Sequence, residues 1–261
     1  MMVLIAMLSM AASAYAQLDV PTIIKRSVEV SNADWEAAPQ YDHFERDRQP
    51  DGSTKTYEVM MILGSDYQRL VAVNDKPLTP EEQAREQRKL EQVIAQRQSE
   101  SKEQWTQRTA KYEKDRKRDH LLMEQLTVAF DFNLLGEQKM GPYDVYVLQA
   151  TPRPGYRPPN TETKVLTGMQ GKLWIDKQTY QWVRVEAEVV HPVSIAGFLA
   201  QVQPGTRFEL EKMPVAEGLW LPKHFSMKAR AKILFFFSHK TQEDETYFDY
   251  HKAALSGTAN P

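Results

Sequence analysis

The chain has 261 residues, of which 41% are hydrophobic and 26% charged, a composition typical of a globular protein that can bury a substantial core. Its formal net charge is −2, so it lacks the excess of positive charge that attracts proteins to nucleic acid, and no nucleic-acid partner is predicted. The absence of cysteine excludes disulfides, thiolate metal sites, cysteine-based catalysis and lipidation of an N-terminal cysteine.

Residues 1–16 have the composition of a secretory leader. They contain no charged side chain and end in Ala14-Tyr15-Ala16, the small-x-small pattern of a signal-peptidase site. The apolar run is shorter than the about 20 residues that a membrane-spanning helix needs, and no later run is long enough. The pattern predicts a cleaved signal peptide and a soluble periplasmic protein that begins near Gln17, without a transmembrane span. A buried N-terminal helix is the alternative.

The first part of the mature chain predicts a helix followed by three strands. Apolar residues at helical spacing favour a helix over residues 20–32. Pro50, Asp51 and Gly52 form a turn signal between two strand-like segments. A second turn at residues 64–66 leads into a strand over residues 67–73. These segments predict a three-stranded antiparallel meander.

A helical insert is predicted over residues 79–125. Thr79 is a suitable N-cap, Pro80 suits the first helical position, and good helix formers continue to about Arg118, before a second short helix over residues 121–125. Between Thr79 and His120 there are 11 Lys and Arg and 9 Asp and Glu residues. Such a mixture is typical of a solvated face or an exposed arm, while a contact with nucleic acid or a membrane is the alternative, which the near balance of the two signs disfavours.

From residue 128 onward the sequence is rich in strand patterns, which bring the total to about ten strands. The hairpin over residues 171–189 places its aliphatic residues on one parity, and Trp174 and Trp182 on the other, which is predicted to be the outer side. The clearest alternation runs from Phe225 to Phe237. The residues predicted to line the concave face are Met61, Leu63, Phe130, Phe132, Val145, Val147, Leu173, Ile175, Val183, Val185, Phe225, Met227, Ala231, Ile233 and Phe235.

These elements predict a mainly antiparallel α+β fold. A sheet of this size curls, so we expect a curved open β half-barrel whose concave face is covered by an α-helical lid. One domain is predicted over residues 17–252, followed by a flexible tail over residues 253–261. The alternation leaves open whether the concave face is an open cavity or a filled core.

The sequence contains no strong catalytic or metal-binding motif. The six histidines form no ligand pair, and His239, which has Glu243 and Asp244 nearby, is predicted to lie in a solvated loop. Asp176 precedes a turn, where an aspartate more often binds turn amides than acts as an acid catalyst. The chain is therefore predicted not to be an enzyme, and no catalytic residue, cofactor or metal is assigned.

Three segments carry a resemblance to a known family: YDVYVLQATPR, GKLWIDKQTYQWVRVEAEV and GLWLPKHFSMKARAKI, which follow a helix, three strands and a helical insert. This arrangement resembles the outer-membrane lipoprotein-sorting superfamily of the carrier LolA, its receptor LolB and the stress sensor RseB. GSDYQRLVAVNDKPL resembles an uncharacterised secreted branch of it. The resemblance implies a half-barrel with a hydrophobic cavity for acyl chains. It also implies an arginine on an early strand that holds the lid closed, a position matched by Arg69.

Two functions are consistent with these features. The first is a periplasmic, non-enzymatic carrier that binds a lipid or an acylated protein in the concave face. The second is a protein-interaction or envelope-stress sensor module, in which the long charged helix docks an envelope protein. Lipid bound to the purified protein would distinguish the first from the second.

Overall fold

The computed structural model describes residues 19–195, 200–233 and 237–255, without the side chains of residues 119, 232, 233 and 237–240. The leader over residues 1–16, Phe235, the His239 side chain and the tail beyond Leu255 lie outside this description. The helices and strands are α1 (Val20–Ala37), β1 (Tyr41–Arg48), β2 (Thr54–Ile62), β3 (Ser65–Val73), β4 (Lys76–Pro77), α2 (Pro80–Gln98), α3 (Lys102–Glu124), α4 (Leu126–Ala129), β5 (Phe130–Met140), β6 (Tyr143–Pro152), β7 (Met169–Asp176), β8 (Trp182–Val189), β9 (Val193–Ser194), β10 (Ala200–Val202), β11 (Arg207–Ala216), β12 (Leu219–Ile233) and β13 (Phe237–Lys252). Two 3₁₀ helices lie at Ala38–Gln40 and Glu162–Gly168.

All the strands in the described ranges belong to one open sheet. Their order is β4-β3-β2-β1-β13-β12-β11-β8-β7-β6-β5, and β10 pairs with both β12 and β9. Every strand pair is antiparallel. The predicted α+β class with an open antiparallel sheet is confirmed. The sheet has thirteen strands, and three of them, β4, β9 and β10, have only two or three residues, which is why the alternation indicated about ten.

The turn between β2 and β3 falls at Leu63 and Gly64, one residue earlier than predicted. Their φ angles are 47° and 95°, and positive φ at both central residues is the geometry of a two-residue turn that follows the twist of a hairpin. A Cβ atom on Gly64 would also lie 3.0 Å from the Thr109 side chain of α3. Glycine therefore allows both the turn and the close approach of the helix.

The helical insert consists of two long helices and a short one, and the predicted single helix to Arg118 is wrong. The start at Thr79 is confirmed, with a capping box in which Thr79 and Glu82 each bond the other's backbone. The helix ends at Gln98, and α3 begins after Ser101, whose side chain and that of Gln104 form a second capping box. Ser101-x-x-Gln104 is a helix-start pattern within a run of good helix formers. A second helix start at this position means that the first helix, which begins after Thr79, has to end before it.

The insert is attached to the sheet where α2 and α3 cross the β2–β3 turn. The Arg97 guanidinium donates hydrogen bonds of 2.8–2.9 Å to the carbonyls of Ile62, Ser65 and Asp66. Trp105 Nε1 donates to the Leu63 carbonyl at 3.2 Å. The carbonyls that a turn leaves unpaired are satisfied by side chains of the insert, so this segment is a docked part of the domain rather than a free arm.

One face of β5–β8 forms the main hydrophobic core together with α1. Ile23 and Ile24 of α1 pack against strand residues that include Leu148, and Leu122 and Met123 of α3 pack at its border. We call this cluster the helix-side core. Its buried members are Ile23, Ile24, Ala129, Phe130, Leu148, Ala150, Leu166, Met169, Leu173, Ile175, Trp182, Val185, Val189 and Val193.

A second cluster forms on the opposite face of β6–β8 and corrects two predicted positions. Val145 and Val147 pack with Trp174 and Trp220 in this cluster, whereas the alternate β6 residue Leu148 faces the helix-side core. Both parities of β6 are apolar, so alternation alone did not identify the face that meets the helices. Val145 and Val147 are therefore absent from the concave face on which they were predicted.

A bulge in β8 reverses the predicted positions of Trp182 and Val183. Trp174 pairs with Arg184 and Ile175 pairs with Trp182, so Val183 is an extra residue on this strand. The parity changes at that point. Trp182 enters the helix-side core, where it is 1% exposed, and Val183 packs with Trp174 in the second cluster. The prediction that Trp182 lies on the outer side is wrong for this reason.

Candidate functional site: a cavity beneath α1 and α3

A cavity of about 400 Å³ lies between α1, α3 and the strands β11–β13. This volume falls at the lower end of the range of small-molecule sites, about 300–1,000 Å³, and is suited to one ligand rather than several chains. Its lining residues are Ser31, Asp34, Trp35, Ala38, Arg116, His120, Met123, Leu210, Lys212, Trp220, Leu221, Pro222, Phe225 and Tyr247.

Of the residues predicted to line the concave face, Phe225 borders this cavity. Met227 has the same parity on β12, and its register partner is Phe208, which packs against the helix-side core. Ala231 and Ile233 lie further along β12, where they pair with β10. Met61 is buried below α3, with its sulfur 3.4 Å from the Tyr112 hydroxyl, and Leu63 belongs to the β2–β3 turn.

The other predicted residues of this face are packed in the helix-side core. Phe130, Leu173, Ile175 and Val185 are buried there, and Phe132 packs against them. The space left among these side chains is about 70 Å³. This half of the helix-side face is therefore closely packed around one small pocket, which Phe130, Leu173 and Val185 line, and the larger cavity lies beside it.

Asp34 anchors α1 over the cavity, and the sequence analysis did not identify it. Its carboxylate accepts hydrogen bonds from the Trp220 amide at 3.0 Å and from the Gln181 side chain at 3.1 Å, and it forms an ion pair with Lys212 at 2.5 Å. Both charged side chains are buried, and burial lowers the pKa of Lys212 while Asp34 opposes that shift. One carboxylate thus joins α1 to β11, β12 and the β7–β8 turn.

The seam between α1 and α3 is aromatic and basic. His120 stacks on Trp35 with ring centroids 4.4 Å apart, and the Arg116 guanidinium carbon lies 4.3 Å from the Trp35 ring centroid. Arg116 also donates to the Trp35 carbonyl at 2.6 Å, and His120 Nε2 lies 2.9 Å from the Asn32 side-chain oxygen. Burial lowers the pKa of His120, which favours its neutral form. These contacts fix the position of α3 over the cavity.

Arg69 connects α2 to the sheet at a different place. It pairs with Glu58 of β2 and donates to Gln87 of α2 at 2.8 Å. By strand alternation Glu58 lies on the face opposite Met61, whose sulfur contacts α3. The predicted tether residue therefore holds α2 on the outer face, away from the cavity below α1 and α3.

Replacing Arg69 with leucine is expected to loosen α2 without unfolding the domain, because the partly buried Glu58 loses its cation and Gln87 loses its donor. Hydrogen–deuterium exchange should rise across α2 and stay unchanged in α1. Arg85→Leu is the matched control, since Arg85 lies on the same helix and forms only an exposed pair with Glu82 at 3.7 Å. Equal exchange in α2 of the wild type and of Arg69→Leu would contradict this role.

Three carboxyl groups meet beside Tyr247, on the neighbouring strands β1 and β13. Glu45, Asp47 and Glu245 bring one oxygen atom each within 4.8 Å of one another, and the Tyr247 hydroxyl donates to Glu245. Burial, reinforced by Asp47, raises the pKa of Glu45 to about 8, so this carboxyl is mostly protonated at neutral pH. Taking up a proton relieves the repulsion among the three groups without a cation, and the arrangement is not assigned as a metal site.

Stability is expected to fall as the pH rises from 6.5 to 8. The pKa of Glu45 is about 8 in the folded protein and near 4.5 in the unfolded chain, so the folded state holds more protons in this interval and loses that stabilisation as Glu45 ionises. His43, whose pKa burial lowers from 6.5 to about 4, is neutral in the folded and the unfolded state above about pH 6.5, so it does not change the slope in this interval. Thermal melting should show a falling melting temperature in the wild type and a shallower fall in Glu45→Gln, where Glu245, whose pKa burial also raises, remains. Glu29→Gln, an exposed change on α1, should behave as the wild type, and an unaltered slope in Glu45→Gln would refute the assignment.

Asp176 Oδ2 accepts hydrogen bonds from the Thr179 amide at 2.8 Å and from the Thr179 hydroxyl at 2.7 Å, which is the turn role favoured by its position in the sequence. Within the described ranges, no helix combines the length and hydropathy that crossing a membrane requires.

Comparison with known proteins gives a weak structural likeness. No family model matches the chain, and no curated protein matches it. A domain from Vibrio parahaemolyticus described as an outer membrane lipoprotein-sorting protein has a TM-score of 0.34 at 11% identity, covering 88% of this chain and 94% of that one. A DUF1329 family protein from Desulfovibrio piger has a TM-score of 0.33 at 12% identity, covering 90% and 93%. The LolA superfamily protein NE2245 from Nitrosomonas europaea has a TM-score of 0.33 at 13% identity, covering 89% and 93%. Likeness at this level carries no information on what this chain binds.

Proposed function

We propose that the protein is a non-enzymatic periplasmic binding or carrier protein that takes an apolar ligand, a lipid or the acyl chain of an acylated protein, into the cavity below α1 and α3. The observation that carries the proposal is the cavity of about 400 Å³, whose wall includes Trp35, Leu210 and Phe225. An apolar chain that enters it leaves water, a gain of about 25 cal/mol for each Å² of apolar surface buried.

The two helices above the cavity, α1 and α3, are arranged in a way that suits reversible binding. Asp34 secures one end of α1 to the sheet, while Met123 of α3 borders both the cavity and the smaller space in the helix-side core. An unbranched methionine adjusts to ligands of different shape more readily than a branched side chain. The closely packed helix-side core gives rigidity, and the adjacent cavity gives room for a ligand.

The lining residues support a binding role rather than catalysis. The Asp34 carboxylate and the Lys212 amine are engaged with each other, and His120 is stacked on Trp35 and bonded to Asn32. Nucleophilic catalysis needs a hydroxyl within hydrogen-bond reach of a general base, and the Ser31 hydroxyl makes no such contact among the described residues. The leader pattern over residues 1–16 supports the periplasm as the location, and none of these observations favours an interaction module.

Native mass spectrometry of the full chain, purified from its own envelope, tests the proposal. We expect a protein that begins near Gln17 and carries one bound lipid-sized mass, which organic extraction removes. Incubating the extracted protein with phospholipid vesicles should restore the mass. A protein that carries no ligand after purification and takes up none from vesicles would refute the proposal.

A further inference from the structure

One polar group in the cavity wall, the Ser31 hydroxyl, is not explained by an apolar ligand alone. Ser31 of α1 borders the cavity, is 3% exposed, and its Oγ has no hydrogen-bond partner among the described residues. Buried hydroxyl groups are almost always paired, because leaving one without a partner costs free energy. An unpartnered hydroxyl in a cavity wall is explained by a polar group of the ligand.

Ser31 shares the cavity wall with other polar or charged side chains, among them those of Asp34, Lys212, Arg116 and His120. Asp34 and Trp35 follow it by three and four residues, so the three side chains share one face of α1, and Arg116 and His120 are four residues apart on α3. The charge of Lys212 is balanced by Asp34. Among the described lining residues, Arg116 is therefore the one cationic side chain that Asp34 does not pair, and its own ion pair is with Glu113 at the surface.

Arg116 has a suitable position for a charged head group. Its side chain is 16% exposed, and its ion pair with Glu113, at 3.1 Å, reaches a carboxylate that is itself 46% exposed. The guanidinium thus lies where the cavity meets solvent, held by the Trp35 carbonyl and ring. A planar guanidinium binds carboxylate and phosphate oxygens well.

The remaining wall is apolar, with Leu210, Leu221 and Phe225 supplied by β11 and β12. We propose that the ligand is a single-chain amphiphile with an anionic head group, a carboxylate or a phosphate, to which Ser31 donates a hydrogen bond and with which Arg116 pairs. The chain of the ligand then lies along β11 and β12. This inference rests on the proposed function and specifies its ligand.

Displacement of the neutral fluorescent probe N-phenylnaphthylamine from the full chain tests the inference. Dodecanoate, dodecyl phosphate and dodecanol have the same chain, and the first two differ from each other only in the anion. We expect at least one anion to bind about tenfold more tightly than dodecanol, a difference of about 1.4 kcal/mol. The comparison between the two anions identifies the head group.

In Ser31→Ala and in Arg116→Met the affinity for the preferred anion should fall close to the affinity of the same variant for dodecanol. Ser27→Ala, whose hydroxyl is bonded to the Ile24 carbonyl, and Lys111→Met, an exposed position on α3, are the matched controls and should keep the preference. Equal binding of all three chains to the wild type, or a preference that survives both variants, would overturn the inference and leave the proposed function in place. A wild type that binds neither the probe nor any chain would refute the proposed function itself.

Discussion

Replacing Asp34 with alanine is expected to lower the free energy of unfolding by about 3–5 kcal/mol. The change leaves the Lys212 ammonium buried without its counter-ion, and it removes the acceptor for the Trp220 amide and the Gln181 side chain. The loss is large because the three partners lie on separate parts of the sheet, and a single carboxylate from α1 satisfies all of them.

Urea unfolding measures this change. Asp131→Ala is the matched control, since its pair with Arg153 is exposed and should contribute no more than about 1 kcal/mol. The double variant Asp34→Ala/Lys212→Met should recover part of the loss, because no unpaired ammonium remains buried. A loss below about 1 kcal/mol in Asp34→Ala would show that α1 is held by its apolar contacts alone.

Replacing Trp182 with alanine is expected to cost about 3–5 kcal/mol of stability. Trp182 is among the largest fully buried side chains in the described part of the chain, and the surrounding Ile23, Leu173 and Val185 cannot close the space that it leaves. If the strand had no bulge and Trp182 lay on the outer side, the same change would cost much less.

Trp182→Phe separates the volume of the side chain from its polar atom. The Trp182 Nε1 is buried without a hydrogen-bond partner, so phenylalanine removes an unsatisfied donor along with some volume. Its cost should stay below about 1.5 kcal/mol. Thermal or urea unfolding of both variants provides the comparison, and similar small losses for Trp182→Phe and Trp182→Ala would place Trp182 outside the core.

Local signals in the sequence were sufficient for the elements and for part of the sheet. The N-cap at Thr79 and the alternation that puts Phe225 and Met227 on the face with Leu210 both appear in the structure, because each depends on neighbouring residues. The second capping box, at Ser101 and Gln104, is also a local pattern in the sequence. The break between α2 and α3 was not predicted, because the residues around it have a high helix propensity.

The faces of the strands were predicted less well where alternation gave no contrast. β6 is apolar on both parities, so Val147 and Leu148 were equally plausible core residues until α1 was placed over one side. In β8 a single extra residue at Val183 reverses the parity. A bulge is determined by the pairing with β7, and a one-strand pattern does not contain that pairing.

The anchor and the cavity depend on contacts distant in the sequence. Asp34 reaches Gln181, Lys212 and Trp220, which are 147 to 186 residues away, and nothing near Asp34 distinguishes it from a solvent-facing helix residue. The alternation of β12 assigns Phe225 to the helix-side face of the sheet. It does not indicate whether helix side chains fill the space above Phe225. The cavity exists because α1 and α3 meet over β11–β13 while leaving room below Trp35.

The measurement that tests the central claim most directly is a titration of the full chain with N-phenylnaphthylamine, in the wild type and in Leu210→Trp. Leu210 borders the cavity, and a tryptophan there should occupy the ligand's space. Leu135→Trp, at a side chain that is 56% exposed on the edge strand β5, is the control. We expect saturable binding to one site in the wild type and in Leu135→Trp. In Leu210→Trp we expect loss of binding with a melting temperature close to that of the wild type. Absence of saturable binding in the wild type, or undiminished binding in a folded Leu210→Trp, would contradict it.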